Sequence, residues 1–333
     1  MILVWAGFFF IIALLLAIDL GVVNKKSHTI TVREAARASV VWISIGLAFS
    51  GLVYLAYEFH WGGLGRDSGV RGGQAISEYI TAYLVEKSLS VDNIFVIAIL
   101  FRYFKVPPQY QHRVLYWGII GAIVFRGAMI AAGSALVASF DWIFYIFGAI
   151  LVFTAWKMMR DDDGEDVDIE HSPIVRWARK ILPIADRYDG EHFRVTVDGH
   201  RKFTLLFLAL IVIEAMDVVF AVDSIPAIFG FTTEPFIVMT SNIFAILGLR
   251  SLYFVVAGAM AQFHYLKLAV SFILLLVGIK MFVHDVVHVP AWLSLLVVAA
   301  ILTAGIVVSV MKNRREGRNA AQEAPPTDQE KIG

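Results

Sequence analysis

The chain has 333 residues, 59% of them hydrophobic and 17% charged, with 28 basic and 28 acidic side chains, no cysteine and a mean hydropathy of +0.72. Soluble domains carry about a quarter charged residues, so this composition is that of a chain held largely in lipid. Zero net charge excludes a basic nucleic-acid-binding face, and the lack of cysteine excludes disulfides, thiolate metal sites and cysteine nucleophiles.

A membrane helix needs roughly 20 mainly apolar residues. Candidate spans fall at 2–23, 36–57, 76–101, 114–138, 141–158, 203–228, 235–257, 265–284 and 290–311. The expected fold is an all-α, polytopic transmembrane helical bundle of about nine spans. The first run has no basic region before it and no small-residue cleavage site, so it reads as a retained span and not a signal peptide. Asp19 lies inside it, and Lys25 and Lys26 follow. The Gly-rich stretch 62–73 lacks a P-loop lysine pattern and reads as a loop. The third span carries several polar residues, and hydropathy by itself would miss it. Glu78, near its start, reads as interfacial.

Residues 1–158 hold spans 1–5, residues 159–202 a loop opening with the acidic run 161–170, residues 203–311 spans 6–9, and residues 312–333 a disordered tail containing Pro325 and Pro326. Lys and Arg concentrate in alternate connections, after span 1, between spans 3 and 4, in 159–202 and after span 9. The positive-inside rule then places the N-terminus outside and the C-terminus in the cytoplasm. Lys280, near the outer end of span 8, is the exception and is expected to snorkel.

Two blocks resemble each other. Span 3 reads Glu86-Lys-Ser-Leu-Ser-Val-Asp92-Asn93-Ile94, and span 6 reads Asp217-Val-Val-Phe-Ala-Val-Asp223-Ser224-Ile225. Each following span holds one arginine after an Ala-Ile pair, Arg126 and Arg250, and each third span ends in Lys-Met, at 157–158 and 280–281. Opposite directions for spans 3 and 6 make residues 76–158 and 203–284 inverted three-helix repeats, an architecture that places transporter sites at the midplane interface.

Asp19, Glu86, Asp92, Glu214, Asp217 and Asp223 all fall within spans. An acid at a helix centre costs about 2.5–3.5 kcal/mol on insertion scales, so these acids must face the bundle interior and bind cations, protons or each other's partners. Glu214 and Asp217 share a helix face. On a continuous helix Asp223 lies about 120° round from Asp217 and about 9 Å along, too far to share one ion. Pro226 and Gly230 therefore suggest a break or kink after Asp223 that frees carbonyl oxygens. With Asn93, Ser224 and Asn242, such acids form a hard-cation set suited to magnesium, calcium or manganese. Met216 is a softer candidate whose ordinary role is packing. Asp19, Arg126 and Arg250 are supporting candidates, equally readable as buried structural pairs. His264, His284 and His288 fall at span ends and read as solvated.

The stretches Glu86-Lys-Ser-Leu-Ser-Val-Asp92-Asn93-Ile-Phe, Phe220-Ala-Val-Asp-Ser-Ile-Pro-Ala227 and Ser241-Asn-Ile-Phe-Ala-Ile-Leu-Gly-Leu-Arg-Ser-Leu-Tyr-Phe254 resemble the TerC/Alx family of bacterial membrane proteins. The resemblance covers the chain from Asp19 to about span 9. One departure is Glu214-Ala-Met-Asp217, where the family often reads Glu-Thr-Thr-Asp; both acids are kept. The resemblance implies manganese efflux across the cytoplasmic membrane, with links to tellurium resistance, and metal handling by Glu86, Asp92, Asn93, Glu214, Asp217, Asp223 and Ser224. The expectation is a secondary transporter and not an enzyme, with no tightly bound cofactor, manganese as cargo and protons as exchange partner. A calcium or magnesium transporter, or a membrane scaffold of a stress-response complex, are the alternatives.

Overall fold

The structure is a computed structural model that describes residues 1–21, 31–140, 142–160, 173–197, 199–257, 265–283 and 289–323. Among the described residues are eleven α-helices, one short 3-10 turn at Trp61–Gly63 and one hairpin. They are α1 (Ile2–Gly21), α2 (Val32–Glu58), α3 (Gly72–Tyr103), α4 (Pro108–Ser139), α5 (Ile143–Arg160), α6 (Pro173–Ile181), β1 (Arg194–Val197), β2 (His200–Phe203), α7 (Leu205–Phe229), α8 (Pro235–Ile246), α9 (Leu249–Ala257), α10 (Leu266–Phe282) and α11 (Ala291–Glu323). A helix occupies each stretch that composition marks as a span, α8 and α9 sharing the seventh.

Local chemistry sets the ends. Thr31 caps α2 by accepting from the Glu34 amide at 3.3 Å, satisfying a donor that the first turn cannot pair. Proline opens α4, α6 and α8, where its missing N–H costs nothing. Among the described residues, five helices are by themselves long and apolar enough to cross a membrane, and the bent pair α8–α9 makes six. At 32 residues α3 spans about 48 Å; its polar residues keep it out of that group. The large side chains facing outward are those lipid would solvate, among them Val124, Phe153, Trp156 and Leu296.

In lipid, helices gain little from apolar contact alone, so close backbone approach matters. α5 and α10 cross in this way: a Cβ on Gly148 would stand 3.0 Å from the Gly278 carbonyl oxygen, and one on Gly278 would stand 2.9 Å from the Gly148 carbonyl oxygen. α3 lies at the centre, against α2, α7, α8, α9 and α11. α3 and α7 are antiparallel. Asn93 and Ile97 of α3 share a cavity with Ile213 and Glu214 of α7, whereas Gln74 and Glu78 share another with Phe229.

Three expectations need correction. α7 is not broken after Asp223; it runs through Pro226 to Phe229. A proline in a last turn removes one hydrogen bond, which neighbouring helices in a membrane protein can offset. The break lies in the next span, at Leu247 and Gly248, where α8 and α9 meet at 45°. Nor is 159–202 a plain loop. α6 packs Val175 and Ala178 against Leu206 and Leu208 of α7, and β1 pairs with β2 across a turn in which Gly199 takes φ 75°. The Asp-Gly pair in that turn is a strong hairpin signal. This unit is tied down by the Tyr188 hydroxyl donating to the Phe104 carbonyl and by Arg113 to Glu191 at 3.1 Å. Finally, α11 continues to Glu323. Its last turns hold good helix formers, and it stops just ahead of Pro325 and Pro326. The acidic run 161–170, His264, His284, His288 and residues 324–333 lie outside the described residues.

Candidate functional site

Arg126 of α4 is 1% exposed and reaches between α3 and α7. Its Nε donates to Asp217 Oδ2 at 3.0 Å and its Nη2 to Asp217 Oδ1 at 2.8 Å, a bidentate clasp. Its Nη1 donates to Glu86 Oε1 and, at 3.4 Å, to the Ser224 hydroxyl. One guanidinium thus joins the two matching acids, Glu86 and Asp217, from the two similar blocks. Glu86 is wholly buried, and its Oε2 has no hydrogen-bond partner. With both carboxylates ionised the cluster holds two negative charges and one positive.

Beside it, toward the hairpin end, is a narrow cavity with about 20 Å³ open to the centre of a water molecule, enough for one water or one small ion. Asn93, Glu214, Asp217 and Arg250 supply its polar lining. Glu214 has room because α4 presents glycine: a Cβ on Gly121 would collide with the Glu214 carboxylate. Glu214 Oε2 is buried without a partner. An unpaired buried carboxylate oxygen at such a cavity, which Asn93 and Arg250 also line, is a place for a cation or a proton.

The other predicted residues are placed differently. Asp223 accepts from the Thr154 hydroxyl of α5 at 2.8 Å and does not line this cavity. Asn242 is wholly buried in α8, both of its amide atoms without a partner, and it too lies off the cavity. Met216 packs against apolar neighbours. Asp19 and Asp92 fall on α1 and α3, but their side chains lie outside the described ones. No three His, Asp or Glu side chains converge on one point among the described residues; Arg126 occupies two of the acids instead.

Several participants escaped sequence reasoning. Thr154, Gly118 and Gly121 have ordinary apolar-helix surroundings in sequence and act only through what faces them. Lys87, which the sequence offers with Arg126 and Arg250 as a partner for the buried acids, donates instead to the Ala245 carbonyl at 2.9 Å, beside the α8–α9 break, and its Nζ stands 3.1 Å from where a Gly248 Cβ would sit. Lysine thus takes up a carbonyl at the break itself, which lies one span later than the break expected after Asp223. The spacing Gly118-x-x-Gly121 opposite an acid-bearing helix was the available signal.

A bundle of apolar, lipid-facing helices that buries acids and a guanidinium at its centre defines a multi-pass integral membrane protein. The description "Integral membrane protein TerC family" matches residues 71–317. Relatives include an "Uncharacterized membrane protein STKORF319" of Myxococcus xanthus, 45% identical over 93% of this chain and 92% of that one. Another is the Escherichia coli K12 protein named "Putative membrane-bound redox modulator Alx", 46% identical over 95% of this chain and 97% of that one. A membrane protein of Rickettsia felis is 41% identical over 92% and 97%. No solved structure matches. The chain belongs to the TerC family of integral membrane proteins.

Proposed function

We propose that this protein exports a divalent metal ion, manganese first, across the cytoplasmic membrane as a secondary transporter. In this reading about nine spans cross the bilayer, residues 76–158 and 203–284 are inverted repeats, the end carrying Met1 faces outward, and the hairpin unit faces the cytoplasm. The ion enters from the hairpin side and meets Glu214 and Asn93 in the narrow cavity. Its charge then competes with Arg126 for Asp217 and Glu86. Guanidinium and metal exclude each other, so arginine holds the acids when no ion is bound, and its displacement accompanies loading. Asp92, nearer the hairpin end of α3 than Glu86, belongs to the entry side; Asp223 and Ser224 carry the ion onward, with Asp223 released from Thr154. Protons returning to the carboxylates complete the exchange. Oxygen donors of this kind suit manganese, magnesium and calcium alike; manganese is preferred on the family resemblance.

What carries the reading is one observation: matching acids on two antiparallel helices meet at a single buried arginine beside a cavity lined by a further unpaired acid. The name of the Alx relatives points to redox modulation. This chain has no cysteine, so it has no thiol of its own for such chemistry. The test is metal flux in proteoliposomes holding the purified protein, comparing manganese, magnesium and calcium. Saturable manganese flux lost in Asp92→Asn, Asp217→Asn and Asp223→Asn is the expected result. Flux unchanged in all three would refute the site.

A further inference from the structure

The end of the bundle that carries Met1 holds a second, larger polar chamber, separate from the Arg126 cluster. Its polar lining includes Gln74 and Glu78 on α3, Thr232 and Glu234 between α7 and α8, and Lys280 on α10, with about 270 Å³ open to the centres of water molecules. Glu78 is not interfacial. It is 5% exposed and lines the chamber; its Oε1 accepts from Gln74 Nε2 at 2.7 Å, and its Oε2 has no partner. Glu234 stands at the N-terminus of α8, and its Oε2 accepts from the buried Tyr57 hydroxyl at 2.9 Å. Lys280 faces Glu78 electrostatically but closes no salt bridge with either acid. Its ammonium donates to the Ser294 hydroxyl at 3.3 Å and lies 5.5 Å from the centre of the Phe231 ring.

A lysine within the same chamber as two carboxylates would ordinarily close an ion pair. Here it is held aside, and a buried carboxylate oxygen is left open toward a space wide enough for an ion with part of its water shell. The surrounding donors are carboxylate, hydroxyl and amide oxygens, which is hard-cation chemistry. We propose that this chamber is a second binding site for a divalent cation, held between Glu78 and Glu234. Lys280 cuts the net charge from two negative to one, which keeps the ion loosely bound. A site on a conduction path must bind well enough to be entered and weakly enough to be left. Glu78 lies two helical turns from Glu86 on α3, about 12 Å. That places the chamber next after the Arg126 cluster on the way out. Its role as an exit site rests on the transport reading; its capacity to bind a divalent cation does not.

The experiment counts manganese ions bound per protein in detergent, from the loss of the free-ion electron paramagnetic resonance signal. The full chain is compared with Glu78→Gln/Glu234→Gln, Lys280→Met and Asp217→Asn. Two ions are expected in the unaltered chain, one in Glu78→Gln/Glu234→Gln and one in Asp217→Asn. Lys280→Met is expected to tighten the weaker of the two classes on the order of tenfold, since it removes one nearby positive charge; a purely structural lysine would not move that affinity. If the unaltered chain binds one ion and Glu78→Gln/Glu234→Gln abolishes it, the chamber stands and the interior metal site falls. Unchanged stoichiometry and affinity in Glu78→Gln/Glu234→Gln would overturn the proposal. Should that double variant fail to fold, unchanged affinity in Lys280→Met overturns it.

Discussion

Arg126→Met tests the central cluster directly. The guanidinium is 1% exposed, Glu86 0% and Asp217 14%, so water can rescue little when the cation is removed. Breaking a buried ion pair by deleting one partner costs about 3–5 kcal/mol, because the remaining charge is buried without compensation. Here two carboxylates lose the same partner, which places Arg126→Met at the upper end of that range, about 5 kcal/mol. At about 1.4 kcal/mol per decade this shifts the folded-to-unfolded ratio by between three and four decades. For a chain of this size the thermal midpoint falls by about 7 °C. Thermal unfolding in detergent, followed by tryptophan fluorescence, is the assay. Two companion results are required. Glu86→Gln/Asp217→Asn/Arg126→Met should regain most of the loss, since replacing a whole buried network by neutral groups is often near neutral. Manganese should protect Arg126→Met more than the unaltered chain, since the acids are then free to take an ion. A midpoint for Arg126→Met within about 2 °C of the unaltered chain, or a triple variant no better than the single, would refute the account of the cluster.

Further consequences can be checked in the same preparations. Gly278→Ala pushes a Cβ to 2.9 Å from the Gly148 carbonyl oxygen and 2.8 Å from Val152 Cγ2; overpacking of this kind costs about 1–3 kcal/mol, and the unfolding midpoint should drop. Gly121→Ala meets only the end of the Glu214 side chain, so it should leave the midpoint nearly unchanged while reducing manganese flux; normal flux would remove Glu214 from the path. Lys87→Met leaves the Ala245 carbonyl without its donor at the α8–α9 break, and hydrogen exchange of residues 243–252 should rise. Burial pushes the Tyr188 phenol from 10.0 up to about 12. The fold favours the neutral form, so its contribution is complete below pH 10.0 and is lost as the pH rises to about 12. Proteolytic protection of residues 173–203 should fall across that window, and Tyr188→Phe should already lack part of it at neutral pH.

Much of the scaffold was written in the sequence because lipid imposes a one-dimensional rule. A run of about 20 apolar residues has to be helical, since the bilayer offers its backbone no other partner. That rule places the long helices other than the polar α3, and the matching Val-Asp-X-Ile blocks single out Glu86, Asp92, Asp217 and Asp223. The Asp-Gly pair at 198–199 is a local turn signal, but residues 159–202 were read by composition alone as a loop. Which acids meet was not legible. Glu86 and Asp217 lie on different helices, and only the antiparallel contact of α3 with α7, with α4 packed along α7 and its Arg126 reaching both, brings them together. Asp223 matches Asp92 in the sequence pattern, yet in the fold it accepts from Thr154 of α5, on a helix that continues through Pro226. Glu78 looks interfacial by its position along the chain and is buried because α7, α8 and α10 close over it. Sequence by itself determined the helices, the acids that lipid cannot tolerate unpaired, and the family pattern. The tertiary structure decided which charges are joined, which are left open, and where the space for an ion lies, since partners on separate helices are set by packing and by no periodicity along the chain.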